Sequence, residues 1–375
     1  MSGSAPTLWR IQVQVDRIQL RCLCLGALPR RVMTRPLNLE EVGRRAGVSR
    51  STVSRVVNGG PNVSSETKRR VEAVIAETGY RPHAAARSLA SNSTGVIGLV
   101  IPSAVATLFD DPYFGRLILG ISSATNDVSM TLALFLFGAG PDESSIISRV
   151  VTPGLVDGVI VTATTRGDPL IDHMQGTSMP FVVVGRPDNA GSTFCVDVDN
   201  RAGARTAALH LAGLGRRRPA LIAAPSNTTA GVDRRNGFLE GLAEAGLSVE
   251  SRVAEGDWSQ ESGRDAMARL LADRPDAVFV ASDRMAVGAL RAIREAGLHC
   301  PGDISVVSFD GIVPPDLTSP RLTSVVQPVT EVGERAVRLL TAVIAGASTP
   351  EHVVFPTELA VRESCGATPT AEPGA

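Results

Sequence analysis

The spacing of apolar residues changes near Gly95. Beyond it, short apolar runs at 96–101, 131–137, 158–162, 181–184, 220–224, 253–256, 277–281 and 304–309 alternate with longer amphipathic segments. Continuous apolar runs of this kind suit strands covered on both faces, and amphipathic crossovers join such strands in parallel. The pattern therefore predicts an α/β core with parallel sheets. Roughly 270 residues of βα units exceed one open sheet, which favours two doubly wound halves; a single eight-unit barrel is the topological alternative. The longest apolar stretch, 132–137, reads as a buried strand and is far short of the ~18 residues of a membrane span.

Before Gly95 the periodicity is helical. Asn38 can cap a helix whose third residue is Glu41, the reciprocal capping pattern, with Leu39, Val42 and Ala46 on one face. Gly47-Val48 breaks it. Ser49 caps a second helix in which Val53, Val56 and Val57 point inward while Arg50, Ser51, Ser54 and Arg55 share the outer face. A third helix follows Ser64, carries Val71, Val74 and Ile75 inward, and ends at Gly79. Residues 1–36 show neither period and are read as a disordered extension or a misassigned start, with Met33 just before the first well-formed element.

Charge sharpens this division. The whole chain has a formal net charge of −1, yet residues 38–93 carry nine basic against five acidic side chains and residues 1–37 six against one. The positive charge lies at the front. Two short helices around the turn Ala46-Gly47-Val48-Ser49, the second with a polar, arginine-bearing face, have the layout of a helix-turn-helix. Arginine can donate two hydrogen bonds to the major-groove edge of guanine, and Ser51, Thr52 and Ser54 can bond bases or phosphates. On pattern alone, a three-helix bundle with a solvated basic face is the competing reading.

The segment LEEVGRRAGVSRSTVSRVV (39–57) followed by Asn58-Gly59 resembles the DNA-binding headpiece of the lac/gal repressor family. The likeness continues through 63–90 and GVIGLVIP (95–102), and covers the chain from Leu37 to about Val361. It implies an all-α helix-turn-helix headpiece at 37–81, a hinge helix and linker at 82–94, and a type I periplasmic-binding-protein-like core of two doubly wound α/β subdomains at 95–365, with 366–375 a disordered tail. It assigns base reading to Arg50, Ser51 and Arg55, phosphate contact or turn support to Thr52 and Ser54, and a position near the DNA backbone to Asn58. The run around Ala86 resembles the hinge helix, with Leu89 as the minor-groove wedge. His83 stands where the family commonly has Asn, which weakens the expected cap. An isolated segment this short cannot hold a helix, so its order must come from DNA and from a partner's hinge.

For the core, the resemblance implies a ligand cleft between the halves. Trp258 falls where relatives stack on their ligand, Arg234 in the Arg-x-x-Gly-aromatic element at 234–238, and Asp310 at a strand end as an acceptor. Ser282 and Asp283 end another strand, where an Asp can equally cap the next helix. Tyr113 and Phe114 supply aromatics at the cleft mouth. Gly185 stands where some relatives have an acidic ligand contact. Core packing is the competing role for Trp258.

Five cysteines lack paired spacing, and no metal or other cofactor is implied. His173, His210 and His299 stand apart from any nucleophile, and neither a GxGxxG nor a P-loop pattern follows a strand, so an enzyme on this fold lacks its catalytic pair. An exported solute-binding protein would need a signal peptide and would have no use for the headpiece. The expectation is a cytoplasmic, homodimeric repressor that binds double-stranded, pseudo-palindromic operator DNA. A small ligand, a sugar or sugar derivative, would control it, with no membrane partner.

Overall fold

The computed structural model describes residues 38–57, 60–80, 93–101, 109–136, 152, 154–162, 165–188, 190–249 and 251–368. Two compact units divide the chain, residues 1–82 and 83–375. The hinge residues His83, Ala86 and Leu89, and Asn58, lie outside the described residues.

In the first unit, α1 (Leu39–Ala46), α2 (Arg50–Val57) and α3 (Ser65–Thr78) enclose Val42, Ala46, Val53, Val71 and Tyr80. Val56, Val57, Val74 and Ile75 pack around them, as the spacing predicts. Asn38 Oδ1 accepts from the Glu41 amide at 2.8 Å. The return half of the expected capping box is replaced. Glu41 instead receives Arg44 Nε at 3.0 Å and Arg45 Nε at 3.2 Å, because two cations one turn ahead outbid a single neutral amide. Gly47 ends α1 with φ 64°. The turn is tight enough that a Cβ on Gly43 would lie 2.7 Å from the Val48 carbonyl oxygen. Arg70 on α3 donates to the carbonyls of Ala46 at 2.8 Å and Gly47 at 3.3 Å, fixing that turn from behind.

The second unit contains two six-stranded sheets, which excludes the single barrel. Sheet one runs β11-β5-β4-β3-β1-β2 and sheet two β12-β10-β9-β8-β6-β7. Here β1 is Val96–Ile101, β2 Thr131–Leu136, β3 Gly158–Val161, β4 Phe181–Val184, β5 Cys195–Val198 and β6 Pro219–Ala223. The rest are β7 Val253–Glu255, β8 Ala277–Val280, β9 Ser305–Asp310, β10 Thr323–Val326, β11 His352–Phe355 and β12 Glu358–Ala360. All pairings are parallel except β10 with β12. Each of the eight expected strands is present within a residue or two, while β5, β10, β11 and β12 escape the pattern because each is only three or four residues long and carries at least one polar residue. The chain passes between sheets after β5, after β10 and between β11 and β12. Helices α4 (Pro112–Asp127), α5 (Pro169–Gln175) and α10 (Val329–Ile344) belong with sheet one; α6 (Asn200–Gly213), α7 (Thr229–Glu244), α8 (Gln260–Leu270) and α9 (Asp283–Glu295) belong with sheet two. Among the described residues no helix is long and apolar enough to cross a membrane.

One expectation fails. The segment at 132–137 is not a buried strand: β2 is an edge of sheet one and Leu134 is 45% exposed. Apolar composition signals strand here, but only topology decides which strand lacks a neighbour.

The core begins at a fixed point. Asp157 accepts from Ser93 Oγ at 2.6 Å, Thr94 Oγ1 at 2.9 Å and the Gly95 amide at 2.8 Å, clamping the segment that enters β1. Burial alone would raise its carboxyl, but the bonds from Ser93, Thr94 and Gly95 hold it below the usual carboxylate range. Its contribution to stability is therefore present above the unfolded pKa near ~4 and is lost as pH falls through the lower folded value. Asp157→Ala should lower the melting temperature of the core at pH 7, and the difference from wild type should shrink in melts taken below pH 4.

Candidate functional site

On the headpiece, Arg50, Ser51 and Arg55 are exposed on α2, with Thr52 and Ser54 half-buried beside them. Ser49 Oγ meets Ser51 Oγ at 2.8 Å and Thr52 Oγ1 at 2.9 Å, and accepts from the Thr52 amide at 3.2 Å. One hydroxyl thus caps the helix and orients two others. Arg50 lies 3.5 Å from Glu40 in an exposed pair, a contact weak enough to exchange for a phosphate or base.

In the core, the fold brings Arg234, Asp310 and Trp258 together although they lie on different segments. Arg234, on α7, is 4% exposed. Its Nε donates to Asn200 Oδ1 at 2.8 Å, and Nη1 donates to the Ala281 carbonyl at 2.6 Å and to Asp310 Oδ1 at 2.8 Å. The guanidinium lies 3.8 Å above the Phe309 ring and 5.6 Å from the Trp258 ring. Gln327 Nε2 donates to the same Asp310 oxygen at 2.8 Å. Asp310 adopts φ 113° and Trp258 φ 74°, a region that L residues rarely occupy, so both side chains are aimed by backbone the surroundings must hold.

The opposite wall comes from sheet one. The Tyr113 hydroxyl is hydrogen-bonded with Thr162 and lies within the field of Asp197, Asp310 and Arg234; burial first, then Asp197, pushes it up. Two ion pairs bridge the subdomains, Asp111 Oδ2 to Arg284 Nη1 at 3.5 Å and Arg186 Nη2 to Asp233 Oδ2 at 2.5 Å. Thr229 Oγ1 donates to the Arg186 carbonyl at 2.6 Å, and the Arg166 amide to the Asn227 carbonyl at 2.7 Å. The two walls are in contact.

Three expected ligand residues have other positions. Phe114, one residue from Tyr113 and so turned about 100° around α4, is 6% exposed within the apolar core under sheet one. Asp283 has its oxygens filled from within: Ser308 Oγ at 2.6 Å, Ser324 Oγ at 2.7 Å, and the amides of Ile312 at 2.8 Å and Val313 at 3.1 Å. It ties α9 to β9, β10 and the loop after Asp310, a framework role. Ser282 is the helix cap that the sequence had offered to Asp283, accepting from the Met285 amide at 3.2 Å. Gly185 has φ 97°, a conformation that excludes a comfortable acidic side chain there.

The sequence reading missed Asp111, Arg186, Asp197, Asn200, Arg284 and Gln327. Several carry a legible signal, a polar residue immediately after an apolar strand or beside a motif already noted, but which of them converge is set by topology. A separate groove of about 950 Å³, lined by Arg264, Leu290, Leu298 and Leu317 among others, contains none of these residues.

Burial pushes Asp310 up to about 7, with Arg234 opposing and Asp283 and Asp111 adding to the rise. Asp197 is pushed up to about 6, again chiefly by burial. Raised carboxyl groups bind more protons folded than unfolded, so they make stability fall as pH climbs from about 4 to 7. Asp310→Asn should flatten the upper part of that decline in melting temperature measured across pH. By contrast, Asp283→Ala, which strands two hydroxyls and two amides, should cost about 3 kcal/mol or more in denaturant unfolding.

Comparison with known proteins follows the same division. Residues 38–83 match the bacterial regulatory proteins of the lacI family, and residues 208–365 match a periplasmic binding protein-like domain. The chain is 38% identical to the HTH-type transcriptional regulator CelR of Thermobifida fusca, over 87% of this chain and 97% of that protein. It is 36% identical to the regulator AglR of Rhizobium meliloti, over 90% and 97%. Among solved structures, a transcriptional regulator CelR–cellobiose complex superposes with TM-score 0.70 at 37% identity, covering 88% of this chain and all of that one. A lac repressor dimer bound to operator and the anti-inducer ONPF gives 0.80 at 28% identity, covering 89% and 100%.

Proposed function

Because the chain belongs to the lacI family of bacterial regulatory proteins, we propose that it is a cytoplasmic repressor, not an enzyme, that binds its operator as a homodimer under the control of a sugar-class ligand. The observation that carries the effector half is the convergence of Trp258, Arg234 and Asp310 opposite Tyr113, where an apolar ring face stands among fixed polar groups. That combination suits a ring with C–H faces and hydroxyl edges. The CelR–cellobiose complex makes cellobiose the first ligand to try.

The DNA half rests on α2. One headpiece presents few base contacts, while two on a single assembly add their binding energies over two half-sites. Exposed Leu119, Val128 and Leu134, on and beside the open edge of sheet one, give a second copy an apolar seat. In this reading residues 82–94 link the headpiece to the core, and Leu89, outside the described residues, is the candidate minor-groove wedge. The ligand touches both walls of a cleft whose subdomains are bridged by Asp111–Arg284 and Arg186–Asp233. Its binding therefore shifts the subdomain arrangement, and through the dimer contact the population competent for DNA. Arg70 is assigned to the fold of the headpiece and not to the operator, since its guanidinium holds the turn carbonyls.

Two measurements test this. Using an operator selected by the wild-type protein from random DNA, Arg55→Ala should weaken specific binding by roughly 1–3 kcal/mol at fixed salt and leave ligand affinity unchanged. An unaltered ratio of specific to nonspecific binding would remove Arg55 from base reading. Trp258→Ala should abolish the ligand response while retaining ligand-free operator binding if the ligand is an inducer. If it is a corepressor, ligand-dependent operator binding should disappear instead.

A further inference from the structure

The chain crosses from the first unit to the core once, between residues 82 and 83. Ser93, Thr94 and Gly95 then lead into β1, and one side chain holds all three. Asp157 Oδ2 accepts from Ser93 Oγ at 2.6 Å and the Gly95 amide at 2.8 Å, while Oδ1 accepts from the Thr94 amide at 2.5 Å and Thr94 Oγ1 at 2.9 Å. Both carboxylate oxygens are thereby committed to the entering chain.

Sheet two shows how much of this a strand start requires. Asp276 precedes β8, which pairs with β6 as β3 pairs with β1, and it accepts the amides of Arg217 and Arg218 just before β6, each at 2.8 Å. Two amides suffice there. At β1 two hydroxyls are added, on the segment that joins the core to the DNA-binding unit. The holder is itself fixed. The Asp157 amide donates to the Val96 carbonyl at 2.8 Å. Gly158 lies so close beneath α10 that a Cβ there would be 2.9 Å from Leu340 Cδ1 and 3.2 Å from Ile344 Cδ1.

We propose that Asp157 is a positioning residue for operator recognition: by fixing where the connection to the DNA-binding unit leaves sheet one, it sets the separation of half-sites that the dimer accepts. This rests on the reading above of a dimeric, operator-binding repressor. Freed from Asp157, Ser93, Thr94 and Gly95 add about 10 Å of chain to each connection, at ~3.3 Å per residue. One base pair displaces a half-site by about 3.4 Å and turns it by about 35°. The slack exceeds that step, so a loosened dimer loses its discrimination between neighbouring spacings. A longer tether also lowers the effective concentration of the second headpiece at its half-site.

The test uses the full chain and an operator selected by the wild-type protein from random DNA, rebuilt with one base pair inserted or removed between the half-sites. At fixed salt the wild type should bind the parent spacing at least about tenfold more tightly than either altered spacing. The double substitution Ser93→Ala, Thr94→Val removes the two hydroxyl donors and keeps the two amides; it should reduce that preference to about threefold or less. Asp157→Ala should reduce it further, and Asp157→Asn, which keeps one acceptor oxygen, should fall between Asp157→Ala and wild type. Nonspecific DNA binding should be unchanged in all three. Thermal melts establish that each variant is folded at the assay temperature, and if Asp157→Ala is not, the hydroxyl variant decides. Undiminished spacing preference in the folded hydroxyl variant, or a wild type indifferent to spacing, overturns the proposal and leaves Asp157 a strand clamp. If the wild type selects no operator with two half-sites, the operator reading itself falls, and this proposal with it.

Discussion

A guanidinium buried to 4% exposure cannot be left unpaired, and Arg234 determines much of what surrounds it. Its partners come from the start of α6, the end of β8 and the end of β9. These are the points where the second subdomain turns from strand to helix or passes toward the first. Meeting the hydrogen-bonding needs of one arginine therefore sets the relative position of three chain segments. Phe309 lies beneath the planar cation, which keeps the guanidinium in one orientation. The positive φ of Asp310, a cost of about 1–3 kcal/mol, persists because Arg234 and Gln327 both hold its carboxylate.

Asp283 extends the same logic one layer back. It touches no open face of the cleft, yet it fixes Ser308, Ser324 and the amides after Gly311. The loop that follows Asp310 is thus held from behind while Arg234 holds the residue itself. Across the cleft the contacts are different in kind. The ion pairs Asp111–Arg284 and Arg186–Asp233 are partly exposed, and the Nε of Arg284 is buried without a partner. A partly exposed ion pair of this kind exchanges at smaller cost than an enclosed carboxylate such as that of Asp283.

The headpiece follows a separate economy of contacts. Its interior is small, so the turn between α1 and α2 depends on local devices: Asn38 and Ser49 as caps, Gly43 for close approach, and Arg70 across the turn carbonyls. With the turn fixed from inside, the outer face of α2 is left to polar and basic side chains, with Arg50, Ser51 and Arg55 exposed. Arg50 has a single exposed partner at 3.5 Å. The same arginine chemistry that is locked in the core at Arg234 is available on the headpiece, and the difference is burial alone.

Much of this was legible in the sequence because it depends on near neighbours. Helix caps, the glycine turn, the inward valines of α2 and eight of the strands follow from residues a few positions apart, whose backbone preferences act before any tertiary contact. The residue types of the cleft were legible too: Trp258, Arg234 and Asp310 could be named from their positions after strands and within motifs. What the sequence could not settle was which polar groups would already be occupied. Asp283 and Asp310 both end or follow strands with similar neighbours, yet one is enclosed by four donors and the other is held through a single oxygen by Arg234 and Gln327 among the described residues. Phe114 and Tyr113 are adjacent, yet one packs in the core and the other reaches the cleft. Apolar residues 132–137 announced a strand, but its place at a sheet edge came from the order in which strands pair. Local sequence determines conformation through short-range sterics and hydrogen bonds, whereas occupancy, burial and net charge at a site are sums over segments far apart in the chain, and only the tertiary structure brings those together.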